Sequence, residues 1–166
     1  AASDVYKRQA VYFLRGLADM KPTHIILGNH DLTLSNKTRL DSVSPVVNAL
    51  EHPNLFFHKD TERFDLDDIT FTVFSITDEE KWEEYKDVDD SRTNIALFHG
   101  SVSGSRTDVN WVMEDAELEI SFFDKFDYAL LGDIHKANQH LNDKGTVRYA
   151  GSLCQNNFGE TNDKGF

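Results

Sequence analysis

Three short runs of polar residues, each beside a glycine, have side chains suited to metal-ion and acid–base chemistry. They are Gly28-Asn29-His30-Asp31, His99-Gly100 and Gly132-Asp133-Ile134-His135. The amide oxygen of Asn29 suits a hard or borderline divalent cation, and His30 can act as a general acid, as histidine side chains often do. Asp31 can hold an imidazole nitrogen and fix the ring, as carboxylates near metal ligands commonly do. Alone, this run is also ordinary turn chemistry.

The second and third runs contain the other candidate ligands. His99 by itself is more typical of a structural histidine, whereas Asp133 and His135 form an Asp-x-His pair. Residues i and i+2 of an extended chain project to the same side, so we predict that both side chains face one metal cluster. Each run is ambiguous alone, but three runs after three apolar segments favour a metal centre.

Apolar segments precede the three runs and predict buried β-strands. These segments are residues 24–27, 94–98 and 126–131. Open α/β sheets place their active sites where the carboxyl ends of buried strands open into polar loops, and a glycine at that point lets the backbone turn sharply. The sequence therefore predicts an α/β fold whose strand ends carry the site.

The rest of the chain predicts two helices and further strands. We expect helices at residues 9–20 and 39–50, strands at 54–58 and 148–150, and a hairpin formed by 63–66 and 69–76. The acid-rich stretch 78–90 is expected to be a solvated helix and loop. The histidines at positions 24, 52, 58 and 140 are interpreted as structural. The phenylalanines at positions 56, 57, 71, 74, 122 and 123 are interpreted as core residues, and Cys154 as a small core residue.

Composition and charge limit the classes of function. The 166 residues and 39% hydrophobic content suit one folded domain, and the lone cysteine favours a reducing, cytoplasmic setting. The formal charge of −12 argues against holding DNA on a basic surface of its own, although bound metal ions can supply local positive charge. No apolar run reaches the roughly 18 residues of a membrane helix. We assign residues 10–166 to one domain truncated at both ends, and treat residues 1–9, which resemble translated adapter sequence, as a candidate non-native leader.

The order of the three runs resembles the last three motifs of the calcineurin-like metallophosphoesterases. The resemblance implies a β-sandwich flanked by helices and two divalent metal ions, Mn²⁺ foremost and Mg²⁺ as the alternative. It implies that Asn29, His99 and Asp133 bind one ion, that His135 binds the other, and that His30 protonates the leaving oxygen. The family commonly has histidine where this chain has Asp133. Two upstream motifs, Asp-x-His and Gly-Asp, are absent, so we expect one metal site to be incomplete and the chain alone to be inactive.

A narrower resemblance comes from residues 132–136 and 149–160, which include Phe158-Gly159-Glu160. This pattern is similar to SbcD-type DNA repair and recombination nuclease subunits, and to phage recombination endonuclease subunits in particular. It implies hydrolysis of DNA phosphodiesters, an SbcC-like ATPase as partner, a homodimer as a further option, and location in the cytoplasm, that of the host for a phage protein. The alternatives are a phosphoesterase of the same fold acting on nucleotides or phosphoproteins, and a non-catalytic subunit or inactive fragment that docks onto the ATPase.

Overall fold

The computed structural model describes residues 2–33, 40–160 and 164. The chain divides into two compact units, residues 1–59 and residues 60–166, and each is described by itself. Helices and β-sheets occur in the same chain, as the sequence predicts for a mixed α/β fold. Within the described ranges, no helix combines the length and the apolar character needed to cross a bilayer.

Unit 1 consists of two helices and two parallel strands. Its elements are α1 (Ala2–Met20), β1 (Thr23–Ile26), a single 3-10 turn (Asn29–Asp31), α2 (Ser44–Leu50) and β2 (Leu55–His58). Strand β1 pairs with β2 so that Thr23 lies opposite Leu55 and Ile26 lies opposite His58. Both strands therefore end at the same edge of this small sheet, directly before the Asn29–Asp31 turn in the case of β1.

The helices of unit 1 differ from the sequence prediction at their first residues. Helix α1 is continuous from Ala2, so its predicted start at residue 9 is wrong; the origin of residues 1–9 stays a prediction. Helix α2 begins at Ser44 rather than at residue 39, which lies outside the described residues. The physical reason is Asp41, whose carboxylate accepts hydrogen bonds from the backbone N–H groups of Val43 and Ser44 at 3.0 and 2.6 Å, with Pro45 in the first turn.

The core of unit 1 forms between helix α1, helix α2 and the strands. Ala18, Leu50 and Leu55 are buried together. Val11 and Leu14 of α1 pack against them at the helical spacing that the sequence shows. This packing holds β1, and with it the turn that follows β1, against the helices.

Unit 2 is built on a five-stranded sheet in which each strand pairs with its sequence neighbours. The strands are β3 (Glu62–Leu66), β4 (Ile69–Phe74), β5 (Thr93–His99), β6 (Tyr128–Gly132) and β7 (Val147–Tyr149), in the order β3-β4-β5-β6-β7. The predicted hairpin of β3 and β4 is confirmed by their antiparallel pairing. The other neighbouring strands are parallel. The carboxyl ends of β5 and β6 therefore lie side by side.

An aromatic core supports this sheet and reaches into the acid-rich stretch. Phe74 packs edge to face against Trp82 with ring centroids 6.4 Å apart. Trp82 is buried, and its Nε1–H donates to the carbonyl oxygen of Ser75 at 2.8 Å. The prediction of a fully solvated stretch at 78–90 is therefore wrong at Trp82 and at Asp78, which is also buried. Here a 3-10 helix, Glu79–Tyr85, turns one aromatic side chain inward between exposed acids.

Two predictions of core residues are also wrong. Cys154 is exposed to solvent rather than buried. Phe56 is 42% exposed, although its neighbour Leu55 is buried. Phe56 lies on the face of β2 opposite to Leu55, because successive side chains of a strand point to opposite faces, and it is Leu55 that enters the core of unit 1.

Candidate active site

The Asn29–Asp31 turn of unit 1 is closed by the carboxylate of Asp31. One oxygen, Oδ2, accepts a hydrogen bond from the backbone N–H of Gly28 at 3.0 Å. The other, Oδ1, accepts one from the hydroxyl of Ser42 at 2.8 Å, and the N–H of Ser42 donates to the carbonyl oxygen of Asp31 at 3.0 Å. The two carboxylate oxygens of Asp31 therefore hold the turn to Gly28, which precedes it, and to Ser42, which follows it in the chain.

This closure determines how the predicted residues of unit 1 are presented. Asn29 is half-buried and His30 is exposed. The sequence suggested that Asp31 holds an imidazole; in the structure its two oxygens are engaged by Gly28 and Ser42. Asp31 thus positions the turn that carries Asn29 and His30, and an additional contact with an imidazole stays a prediction.

His99 and Gly132 are paired at the carboxyl ends of the parallel strands β5 and β6. A β-carbon placed at Gly132 would lie only 2.7 Å from Nδ1 of His99. Any other residue at this position would therefore displace the ring, which explains the glycine before Asp133. The Nε2 atom of His99 lies 3.7 Å from Oδ1 of Asp133, and both side chains are about a quarter exposed. The two predicted ligands of unit 2 thus meet at one strand edge.

Asp133 adopts a bend that the sequence did not predict. Its φ is 95°, in the left-handed region that Asp enters more readily than most residues. The assumption of an extended chain from Asp133 to His135 is therefore wrong. Ile134 between them is buried, and both Asp133 and His135 nevertheless line one cavity of about 250 Å³, together with Val109 and Asn157. The bend, rather than strand alternation, brings the two side chains to the same cavity.

His135 is held by a glutamate from the end of the chain. Its Nδ1 lies 2.9 Å from Oε1 of Glu160, a side chain that is 3% exposed. The hydrogen bond from His135, followed by the backbone N–H of Asn156 and then Lys164, lowers the pKa of Glu160 to about 2 against the opposing effect of burial. Sequence reasoning assigned Glu160 no role of its own, because this residue stood out only as part of a resemblance.

Glu117 is a second carboxylate near these residues that sequence reasoning missed. A β-carbon at Gly100 would overlap its Oε2 atom, which places the carboxylate beside the residue after His99. Local desolvation of the carboxylate, together with the charges of Asp133 and Glu79, raises the pKa of Glu117, although the residue as a whole is exposed. Its backbone N–H donates to the hydroxyl of Ser101 at 3.0 Å. Glu117 lies in a run of acids from 114 to 119, where no sequence signal distinguishes it from a surface residue.

The donor atoms of unit 2 fit a divalent cation of hard or borderline character. Imidazole nitrogen is a common ligand of Zn²⁺ and other transition-metal ions, and carboxylate oxygen suits Mn²⁺ and Mg²⁺ as well as Zn²⁺. His99 and Asp133 supply one nitrogen donor and one oxygen donor at adjacent strand ends. Among the described residues, no group of three or more His, Cys, Asp or Glu side chains is arranged as a ligand set. His99 and Asp133 therefore supply two donors of a candidate cation site.

Comparisons with known proteins identify the family. The sequence profile described as calcineurin-like phosphoesterase matches residues 3–137. An uncharacterized protein of Acanthamoeba polyphaga mimivirus is 36% identical over 160 residues, covering 90% of this chain. The chain spans only 12% of the length of that relative. The chain belongs to the calcineurin-like phosphoesterase family, whose members hydrolyse phosphoesters with divalent metal ions.

Proposed function

We propose that this chain is part of a nuclease subunit that hydrolyses DNA phosphodiesters in recombination or repair. The proposal narrows the phosphoester hydrolysis of the family to one substrate class. The observation that carries it is the contact between His135 and Glu160, at 2.9 Å. Through this contact the segment 149–160, whose sequence resembles SbcD-type nucleases, reaches a candidate metal ligand.

Each unit contributes its own residues to the proposed reaction. Divalent metal ions, Mn²⁺ foremost, lower the pKa of water and neutralise charge on phosphoryl oxygens. In unit 2, His99 and Asp133 would hold one ion and His135 would hold the other. In unit 1, Asn29 would supply an amide ligand, and His30, which is exposed, would donate a proton to the departing sugar oxygen.

The negative charge of the chain favours a partner subunit that would bind the DNA. Most non-specific affinity for DNA comes from cationic side chains that neutralise phosphates, whereas this chain has a formal charge of −12. An SbcC-like ATPase would supply the basic surface and control access of DNA to the site. We therefore expect tight DNA binding by the complex and weak binding by the chain alone.

A substrate comparison tests the proposed function. A longer protein that includes the two upstream family motifs is incubated with Mn²⁺ and linear duplex DNA, nucleoside monophosphates or a phosphopeptide, with and without the ATPase. We expect cleavage of the duplex that a metal chelator abolishes. Hydrolysis of the small substrates with intact DNA would favour the other phosphoesterases of this fold. Inactivity on all three would favour a docking subunit.

A further inference from the structure

The side chain of Glu160 is a buried carboxylate that contacts His135 and two residues of its own segment. Its Oε1 lies 2.9 Å from Nδ1 of His135 and accepts a hydrogen bond from the side-chain amide of Asn157 at 2.8 Å. Its Oε2 accepts the backbone N–H of Asn156 at 3.0 Å. The carboxylate is therefore fixed by a turn of its own segment and presents one oxygen to the imidazole.

The chemistry of the carboxylate determines which nitrogen of His135 carries the proton. An ionised carboxylate only accepts hydrogen bonds, so the ring donates from Nδ1. The side-chain amide nitrogen of Asn156 also lies near Nδ1, at 3.2 Å, but an N–H group cannot accept that proton. The charged hydrogen bond is the stronger of the two. In the neutral ring the lone pair therefore resides on Nε2, the nitrogen that is turned away from Glu160.

Lys164 extends this arrangement to the backbone of His135. Its Nζ donates to the carbonyl oxygen of His135 at 2.8 Å and lies 3.2 Å from Oε2 of Glu160. The same Nζ lies 3.3 Å from Oδ1 of Asp108, and both of these side chains are less than a tenth exposed. One buried lysine thus contacts the backbone of His135 and the carboxylate that holds its ring. Rotation of the Glu160 side chain would therefore break its contacts with both Lys164 and His135.

We propose that Glu160 is a positioning residue that sets the tautomer and ring orientation of His135, and that Lys164 fixes Glu160 for this task. The inference deepens the proposed function, and rests on it only in taking His135 as a metal ligand. Glu160 itself touches neither a metal ion nor a substrate in this scheme. Its effect is to keep Nε2 of His135 unprotonated and aimed in one direction.

The tautomer of His135 is the direct test, and it needs no enzymatic activity. Long-range ¹H–¹⁵N NMR spectra of histidine-labelled protein, recorded at increasingly alkaline pH until they no longer change, distinguish the two tautomers. His135→Asn assigns the signal. We expect the Nδ1–H tautomer to predominate in the wild type. It should predominate less strongly in Glu160→Gln, and neither tautomer should be preferred in Glu160→Ala. Glu114→Ala, at an exposed position of the same unit, is the matched control.

Calorimetric titration with Mn²⁺ provides the second measurement, on a longer protein that includes the two upstream family motifs. Removing a group that orients a metal ligand typically weakens binding by about 10- to 100-fold, so we expect that loss in Glu160→Ala, a smaller loss in Lys164→Met and none in Glu114→Ala. If Glu160→Ala does not fold, Glu160→Gln decides the question. An unchanged tautomer with unchanged Mn²⁺ affinity would overturn the proposal. If the wild type binds no Mn²⁺, the metal role of His135 fails, and the tautomer still decides the role of Glu160.

Discussion

The hydroxyl of Tyr149 donates a hydrogen bond to the carbonyl oxygen of Gly100 at 2.9 Å, and it accepts one from the backbone N–H of Val102 at the same distance. Tyr149 ends strand β7, whereas Gly100 directly follows His99 at the end of β5. The two strands are separated by β6 in the sheet. One buried phenol therefore holds the loop that follows His99. In the same loop, the hydroxyl of Ser101 accepts a hydrogen bond from the backbone N–H of Glu117.

Replacing this phenol is the first prediction. Tyr149→Phe removes the hydrogen-bond partner of a buried carbonyl and of a buried N–H. Each loss alone costs about 1–3 kcal/mol at most. Because the loop can relax, we expect the total loss of unfolding free energy to lie in the same range. We expect urea unfolding to show a loss in this range. Tyr128→Phe is the control, because Tyr128 is 48% exposed on the neighbouring strand. Equal losses in the two variants would contradict the role given to Tyr149.

The same phenol predicts a dependence of stability on pH. Burial, followed by smaller effects of opposite sign from its hydrogen bonds, raises the pKa of Tyr149 to about 12, above the unfolded value of about 10. Because the folded state holds this proton more tightly, the associated stability is complete below about pH 10 and is lost between about pH 10 and 12. The difference in unfolding free energy between wild type and Tyr149→Phe should shrink across that interval.

The strand ends of the site were predictable, since apolar runs that stop at a glycine identify them directly. His99 and Gly132 lie where that pattern places them, and parallel pairing joins them. The partner of His135 was not predictable in the same way. Glu160 is 25 residues from His135, and a distant carboxylate has no spacing signal that links it to a histidine.

Local polar contacts explain the other differences. The start of α2 depends on hydrogen bonds from Val43 and Ser44 to Asp41, which compete with the helical propensity of the preceding residues. The bend at Asp133 has a positive φ that most residues avoid, so an extended chain was the natural expectation there. Trp82 is buried within an acidic run because its indole N–H finds the carbonyl of Ser75. Each difference arises from a local contact or a backbone angle that the hydrophobic pattern does not reveal.

The third prediction separates proton donation from metal binding. In the longer protein with the upstream motifs, His30→Asn should retain Mn²⁺ affinity and lower the cleavage rate by about 10²–10⁴, the usual contribution of a general acid. His99→Ala should lose Mn²⁺ affinity, because His99 lies beside Asp133 at the strand edge. His140→Asn, at an exposed position, should change neither quantity. Equal loss of metal in the His30 and His99 variants would refute this division of roles.

The last prediction concerns the metal preference of Asp133, which stands where the family commonly has histidine. A carboxylate is a hard, charged ligand and imidazole is softer and neutral, so the two should rank metal ions differently. We expect activity with Mn²⁺ and Mg²⁺ and poor activation by Zn²⁺ in the wild type. Asp133→His should keep activity with Mn²⁺ and lose much of it with Mg²⁺, because the ring can replace the ligand without its charge.

The backbone at Asp133 determines which further variant is informative. Its φ of 95° disfavours alanine, so Asp133→Ala alters the bend as well as the ligand. Asparagine enters this region more readily and has nearly the same shape without the charge, so Asp133→Asn isolates the electrostatic contribution. We expect both variants to bind Mn²⁺ more weakly, with the larger loss in Asp133→Ala, in metal-activation series on one duplex substrate. Full Mn²⁺-dependent cleavage by Asp133→Ala would make Asp133 a turn residue, and would confine the metal role in this run to His135.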